Sequence, residues 1–307
     1  MAASTHIAAL LLAMLTTVLP APQVRAREAA AIDAPTLEVA VGEDRVAYRR
    51  LGAGPPLLLA NRFRGTLDTW DPQFLDALAQ GHTLILFDFP GVGYSEGQIP
   101  ESMEEASAFI DRFADALGID RFALLGWSWG GLATQAYLLD HGERLTHAVL
   151  LATNPPGQLQ IQLQPGFLER ALKPVNDLDD EYVLFFVPDS ARSTQLAKAS
   201  HARINARPGV VDRIPASAEQ FQRYFKAAKG FHVDAAGRRE RLGRTGLPIL
   251  VLCGDHDTST AGGNWFPLIG SMRNARFVYF SETGHAPHHQ HPAVVAAAVR
   301  DFLGEPQ

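Results

Sequence analysis

The hexapeptide Gly126-Trp127-Ser128-Trp129-Gly130-Gly131 stands between an apolar run at 122–125 (FALL) and a helical pattern over 130–139. A serine with glycine two residues away on either side, a strand before it and a helix after it predicts a sharp strand-to-helix turn. Such a turn pushes the hydroxyl out at the edge of a sheet. Glycine suits the flanking positions because a Cβ there would collide with the adjacent strand or helix. The helix N-terminus behind the serine presents unpaired N–H groups and a partial positive charge, which stabilise negative charge developing on a bound carbonyl. Ser128 is therefore the candidate nucleophile.

Outward from this turn the chain repeats one rhythm. Runs at 36–40 and 45–50 flank residues 42–44 as a hairpin, and apolar runs follow at 56–60, 83–87, 122–125, 148–152, 249–253 and 276–280. Most are continuous rather than alternating, as in strands covered on both faces. Helical patterns lie between many of them, at 72–78, 101–117 and 130–139, and a last one at 292–303 opens with proline. This alternation predicts an α/β protein with a mostly parallel, doubly wound sheet. The rhythm stops near Asn154 and resumes at Leu247. The intervening stretch, with patches at 167–172, 182–186 and 216–228, reads as a mainly helical insertion over the sheet's carboxyl edge, where such sheets place their ligands.

A serine hydroxyl is a poor nucleophile until a base takes its proton, and the imidazole that does so needs a carboxylate to fix its tautomer. Gly254-Asp255-His256-Asp257 follows the run at 249–253, and Ser281-Glu282-Thr283-Gly284-His285-Ala286-Pro287 follows that at 276–280. Both lie just past carboxyl ends of strands, on the same edge as Ser128. Asp255 and Asp257 are two residues apart and share a facing in extended chain, so spacing leaves both open as the acid. His285 is the candidate base, because it follows its strand within a few residues and carries a glycine before it. His288, His289 and His291 read as solvated loop side chains, His256 as an exposed turn residue and Cys253 as a buried, inert thiol.

From about Thr36 to the C-terminus the chain resembles the α/β-hydrolase fold superfamily, in a form with a cap insertion. Besides the serine turn, Asp88, Gly91, Gly93 and Ser95 match its D-x-x-G-x-G-x-S turn, Gly254 and Asp257 its G-x-x-D acid loop, and Gly284-His285 its G-H. The resemblance implies a core over 27–153 and 248–307 with a cap over 154–247. It makes Asp257 the acid that orients His285, and it implies no metal and no cofactor. Two backbone N–H groups are expected to form an oxyanion hole: Trp129, after the nucleophile, and Phe63, in the loop after the third strand. There Asn61-Arg62-Phe63-Arg64-Gly65 replaces the family's usual His-Gly. Arg62 and Arg64 read as solvated loop charges, with contact to an anionic substrate group as the alternative. Trp127 and Trp129 either narrow the acyl pocket or pack; Tyr182, Phe185 and Phe186 either line a substrate chamber or pack a cap helix. The implied function is a serine esterase acting on a small-molecule ester, thioester or lactone through an acyl-enzyme. Carbon–carbon bond hydrolysis, peracid formation and aminopeptidase activity remain open, as does a ligand-binding or receptor protein on the same fold.

Composition bounds these readings. The chain has 307 residues, 47% hydrophobic and 20% charged, which is ordinary globular material with ample length for a core. A net charge of −6 without basic runs argues against a nucleic-acid partner, and a single cysteine excludes an internal disulfide framework. Residues 7–19 (IAALLLAMLTTVL) carry no charge but fall short of the about 20 apolar residues that span a bilayer. They fit the apolar core of a secretory leader over 1–26, with Val24 and Ala26 before the cut, although MAASTH ahead of them has no Lys or Arg. The expectation is an exported protein, periplasmic or secreted, with no stable membrane insertion once the leader is removed. An uncleaved anchor is the alternative.

Overall fold

The computed structural model describes residues 30–304, so the expected leader lies outside the described residues. Eight strands form one sheet: β1 (Leu37–Val41), β2 (Asp44–Leu51), β3 (Pro56–Ala60), β4 (Thr83–Phe87), β5 (Phe122–Trp127), β6 (Leu145–Leu151), β7 (Ile249–Gly254) and β8 (Ala275–Phe280). Their order is β1-β2-β4-β3-β5-β6-β7-β8. The β1–β2 and β2–β4 pairs are antiparallel, the former being the expected hairpin, and every other pair is parallel.

The continuous apolar runs are explained by the pleat, which sends successive side chains to opposite faces. Leu58, Leu124, Leu150 and Val251 join one core, with Phe109 and Phe113 of α2 (Met103–Ala116) and Ala133 and Tyr137 of α3 (Trp129–Asp140). Their neighbours Leu57, Leu59, Leu125, Val149 and Leu252 join the other, with Phe74 and Leu78 of α1 (Pro72–Leu78) and Val299 and Phe302 of a C-terminal helix, Pro292–Leu303. Each central strand is thus buried twice, so polar residues have no face on which to appear. Cys253 sits in the first core, where burial and the Asp257 charge push its thiol up, away from reactivity.

Between β6 and β7 stand five helices: α4 (Pro165–Ala171), α5 (Leu178–Phe185), α6 (Ala191–Ile204), α7 (Ala218–Val233) and α8 (Arg238–Arg244). The patches read at 167–172, 182–186 and 216–228 fall on α4, α5 and α7. Helices α6 and α8 carry too many polar residues to stand out as apolar periodicity; α6 reads ARSTQLAKASHARI and α8 RRERLGR. After β8 the chain makes one short turn, α9 (Pro287–Gln290), before the C-terminal helix α10 (Pro292–Leu303).

Two glycines let α3 reach the sheet. A Cβ on Gly126 would lie 2.3 Å from the Gly130 carbonyl oxygen, and one on Gly130 would lie 2.2 Å from that of Ala60. The helix N-terminus therefore rests directly on the carboxyl end of β3. Gly130→Ala is expected to force these backbones apart and lower stability by about 2 kcal/mol or more in urea unfolding. An unchanged midpoint would contradict the close approach.

Candidate active site

The turn between β5 and α3 holds Ser128 at φ 56° and ψ −116°, a left-handed conformation that few residues other than glycine adopt. The strain is held by pairing: the Ser128 N–H donates to the Leu151 carbonyl (2.9 Å), and its own carbonyl accepts from Thr153 Oγ1 (2.8 Å) and the Gly131 N–H (2.9 Å). Here the sequence had asked for a sharp turn. The side chain ends in a cavity of about 350 Å³ between the sheet's carboxyl edge and the insertion.

His285 brings its Nε2 within 2.9 Å of Ser128 Oγ, and its Nδ1 lies 2.8 Å from Asp257 Oδ2. The histidine and the aspartate are almost fully buried. Asp255 takes no part in this chain; it is exposed and pairs with His256 Nδ1 (2.7 Å) and the Thr283 N–H (3.1 Å). Asp257 Oδ1 accepts from the Ser259 and Thr260 N–H groups at 2.8 Å each, and Oδ2 from Thr260 Oγ1 at 2.7 Å. Burial pushes the Asp257 carboxyl up, but the His285 ring and these donors outweigh it and hold it below the usual carboxylate range. Ser259 and Thr260 were not singled out in the sequence. Their signal was an aspartate followed two and three residues later by Ser-Thr, the pattern of a turn built on a side-chain acceptor.

The loop after β3 departs from its reading. Arg64 is not solvated: it is 3% exposed at φ 60°, with its guanidinium inside the insertion. Nε donates to the Pro215 carbonyl (2.6 Å), Nη1 to the Ala171 and Lys173 carbonyls and Asn176 Oδ1 (3.0, 2.7 and 3.2 Å), and Nη2 to the Pro174 carbonyl (2.7 Å). A loop charge was expected in water; the physical reason it is not is this set of carbonyls, which supplies the solvation that burial removes. Arg62 is likewise drawn inward, 4.6 Å above the Phe185 ring and 5.1 Å above the Trp127 ring. Between them, the Phe63 ring packs on Phe221, Tyr224 and Phe225 of α7. The far end of the loop is held by Asp88, whose Oδ1 accepts from the Leu67 N–H (2.7 Å) and Oδ2 from the Tyr94 N–H (2.9 Å). Burial pushes the Asp88 carboxyl up to about 7. Phe63 and Trp129 both line the cavity with Ser128, and their amides donate to no acceptor among the described residues.

Other expectations divide. Trp127 packs: it is fully buried, and its Nε1 donates to the His285 carbonyl (2.9 Å), tying the strand to the histidine loop. Trp129 and Phe185 line the cavity, while Tyr182 and Phe186 do not. Of the remaining loop histidines, His291 is half-buried beside Thr283 Oγ1 (3.1 Å), and the other two are not solvated. His288 is fully buried against Trp127, Trp70 and Phe74, with neither ring nitrogen paired, and His289 is 3% exposed. The run Pro287-His288-His289-Gln290 folds as a short turn of helix that turns these rings inward, where their edges meet aromatic faces. Burial lowers both imidazoles, His288 well below the usual range and His289 to about 3.

Two outcomes follow from this environment. Arg64→Met leaves the facing carbonyls without donors and should lower unfolding stability by about 3 kcal/mol or more, which Arg64→Lys restores only in part because an ammonium has three donors. Urea unfolding at wild-type strength for either variant would contradict the clamp. His288 has a folded-state pKa depressed below 6.5, so from pH 6.5 downward the unfolded chain takes up a proton that the native chain refuses. Relative to His288→Leu, the wild type should therefore lose stability as pH falls from 6.5 to 4, by up to about 1.4 kcal/mol per pH unit. Parallel stability curves for the two proteins would refute it.

Comparison with known proteins accords with this architecture. A profile of the alpha/beta hydrolase fold family matches residues 55–292. A 2-hydroxy-6-oxononadienedioate/2-hydroxy-6-oxononatrienedioate hydrolase of Paraburkholderia phymatum is 26% identical over 274 residues, covering 86% of this chain and 92% of that protein. A pimeloyl-[acyl-carrier protein] methyl ester esterase of Nitrosomonas europaea is 26% identical over 249 residues, covering 77% and 90%. A match of 29% identity to the polyketide synthase ThaQ of Burkholderia thailandensis spans only 12% of that protein. Among solved structures, an alpha/beta hydrolase fold protein from Chitinophaga pinensis superposes with a TM-score of 0.82 at 26% identity, over 91% of this chain and all of the other. By fold, sequence profile and relatives alike, this chain belongs to the alpha/beta hydrolase fold family.

Proposed function

We propose that this hydrolase cleaves a small-molecule ester, thioester or lactone through an acyl-enzyme formed on Ser128. The observation that carries the reading is the unbroken hydrogen-bonded chain from Ser128 Oγ through both nitrogens of His285 to Asp257 Oδ2, opening on a cavity beneath the insertion. In this reading Ser128 Oγ attacks the substrate carbonyl while His285 Nε2 takes its proton. Asp257, held by two amides and a hydroxyl, keeps the Nδ1 proton facing it and stabilises the imidazolium. The N–H groups of Phe63 and Trp129 receive the oxyanion, supported by the N-terminus of α3. Collapse of the tetrahedral intermediate returns the proton from His285 to the leaving oxygen or sulfur. A water molecule, deprotonated by the same nitrogen, then releases the acid and regenerates Ser128.

The largely apolar cavity favours an organic acyl group, with Leu132, Leu163, Phe167 and Leu168 on its wall. The two relatives divide between a hydrolase of an oxo-dienedioate and a methyl ester esterase, so bond type is the point to test. A fluorophosphonate probe should label the folded protein, and Ser128→Ala should abolish labelling. A p-nitrophenyl ester chain-length series should show turnover that falls by about 10³-fold or more in the same variant. Labelling without turnover of any ester would remove the ester reading; no labelling of the wild type would remove the serine mechanism.

A further inference from the structure

We propose that Arg62 recognises a carboxylate carried by the substrate, so that the preferred substrate is a monoester of a dicarboxylic acid. This inference rests on the serine-hydrolase reading and names the substrate class of the same site.

Arg62 stands on the cavity wall with Ser128. Its guanidinium carbon lies over the rings of Phe185 and Trp127, and the group's one hydrogen bond runs from Nη1 to the Phe63 carbonyl at 2.8 Å. Nη2 donates to no acceptor among the described residues, and Nε is buried without a partner. No carboxylate lies within ion-pairing distance of it among those residues. The contrast with Arg64, two positions on, is complete: there every donor nitrogen is engaged. Glu181, the acidic side chain that faces the same cavity, is taken by His201, whose Nδ1 lies 3.0 Å from both of its oxygens.

A guanidinium partly drawn out of water, with no carboxylate at ion-pairing distance, is costly unless a partner arrives. Burial and then the Arg64 charge pull the Arg62 guanidinium down, with the more distant Glu181 opposing them, only to about 10, so it keeps its charge at neutral pH. A guanidinium with a free terminal nitrogen beside the cavity can meet a planar carboxylate through its N–H donors. Arg62 also directly precedes Phe63, whose N–H is assigned to the oxyanion. An anion seated on Arg62 therefore fixes the loop that meets the developing charge, so its binding energy can be expressed in the transition state.

The test compares monomethyl succinate, monomethyl glutarate and monomethyl adipate with methyl pentanoate, at constant ionic strength, for the wild type and Arg62→Gln. The best monoester should exceed methyl pentanoate at least tenfold in kcat/KM, and the variant should lose that ratio. A smaller preference in the wild type, or the same ratio in Arg62→Gln, overturns the proposal. Should Arg62→Gln fail to fold, the wild type still decides. Glutarate should slow fluorophosphonate labelling of Ser128 while equimolar glutaramide does not, and equal effects of the two overturn the proposal. Labelled Ser128 with no preference for the anion sinks this inference alone, whereas the absence of labelling sinks the serine mechanism and this inference with it.

Discussion

The N-terminus of α3 lies against the ends of β3 and β5 with no side chain between, and the rest of the site depends on that contact. Gly126 and Gly130 leave room for carbonyl oxygens where any Cβ would overlap them. With the helix seated there, the intervening serine turns at positive φ, and its hydroxyl points into the cavity beyond the sheet. The same contact puts Ala60 and Asn61, and hence the loop that follows β3, alongside the serine. Ser128 and the loop after β3 are thus neighbours because two backbones touch, before any side chain of the site is considered.

That contact was legible because its requirements are local: glycine, serine and glycine between an apolar run and a helical pattern. The central strands were legible for a related reason. Burial on both faces leaves continuous apolar runs, and β3 and β4 begin and end where the runs at 56–60 and 83–87 do. Asp257 needed the family resemblance, since spacing alone could not separate it from Asp255. What decides between them is three-dimensional: the amides of Ser259 and Thr260 gather one oxygen of Asp257 while the other meets the ring.

The failures share a cause. Arg62, Arg64, His288 and His289 carry polar groups on connecting segments, and such residues ordinarily face water. Here the partners that take them inward come from far along the chain, the carbonyls of 171–174 and 215 for Arg64 and the rings of Trp70, Phe74 and Trp127 for His288. No window of sequence around the residue contains that information. Helix α6 escaped notice similarly, because much of what holds it is polar. Ser190 donates to Glu282 and Ser193 to Gln290, while Ser200 and Arg203 both meet Asp71 at the start of α1.

The Arg64 clamp also bears on how firmly the insertion is held. A guanidinium rooted in the core and bound to Ala171, Lys173, Pro174, Asn176 and Pro215 rivets the roof of the chamber to its floor. The roof cannot swing up as a rigid flap without tearing out every one of those bonds. Val175, Val211 and Phe225 border the chamber yet stay 72%, 55% and 41% exposed, so an apolar margin of the cavity meets solvent.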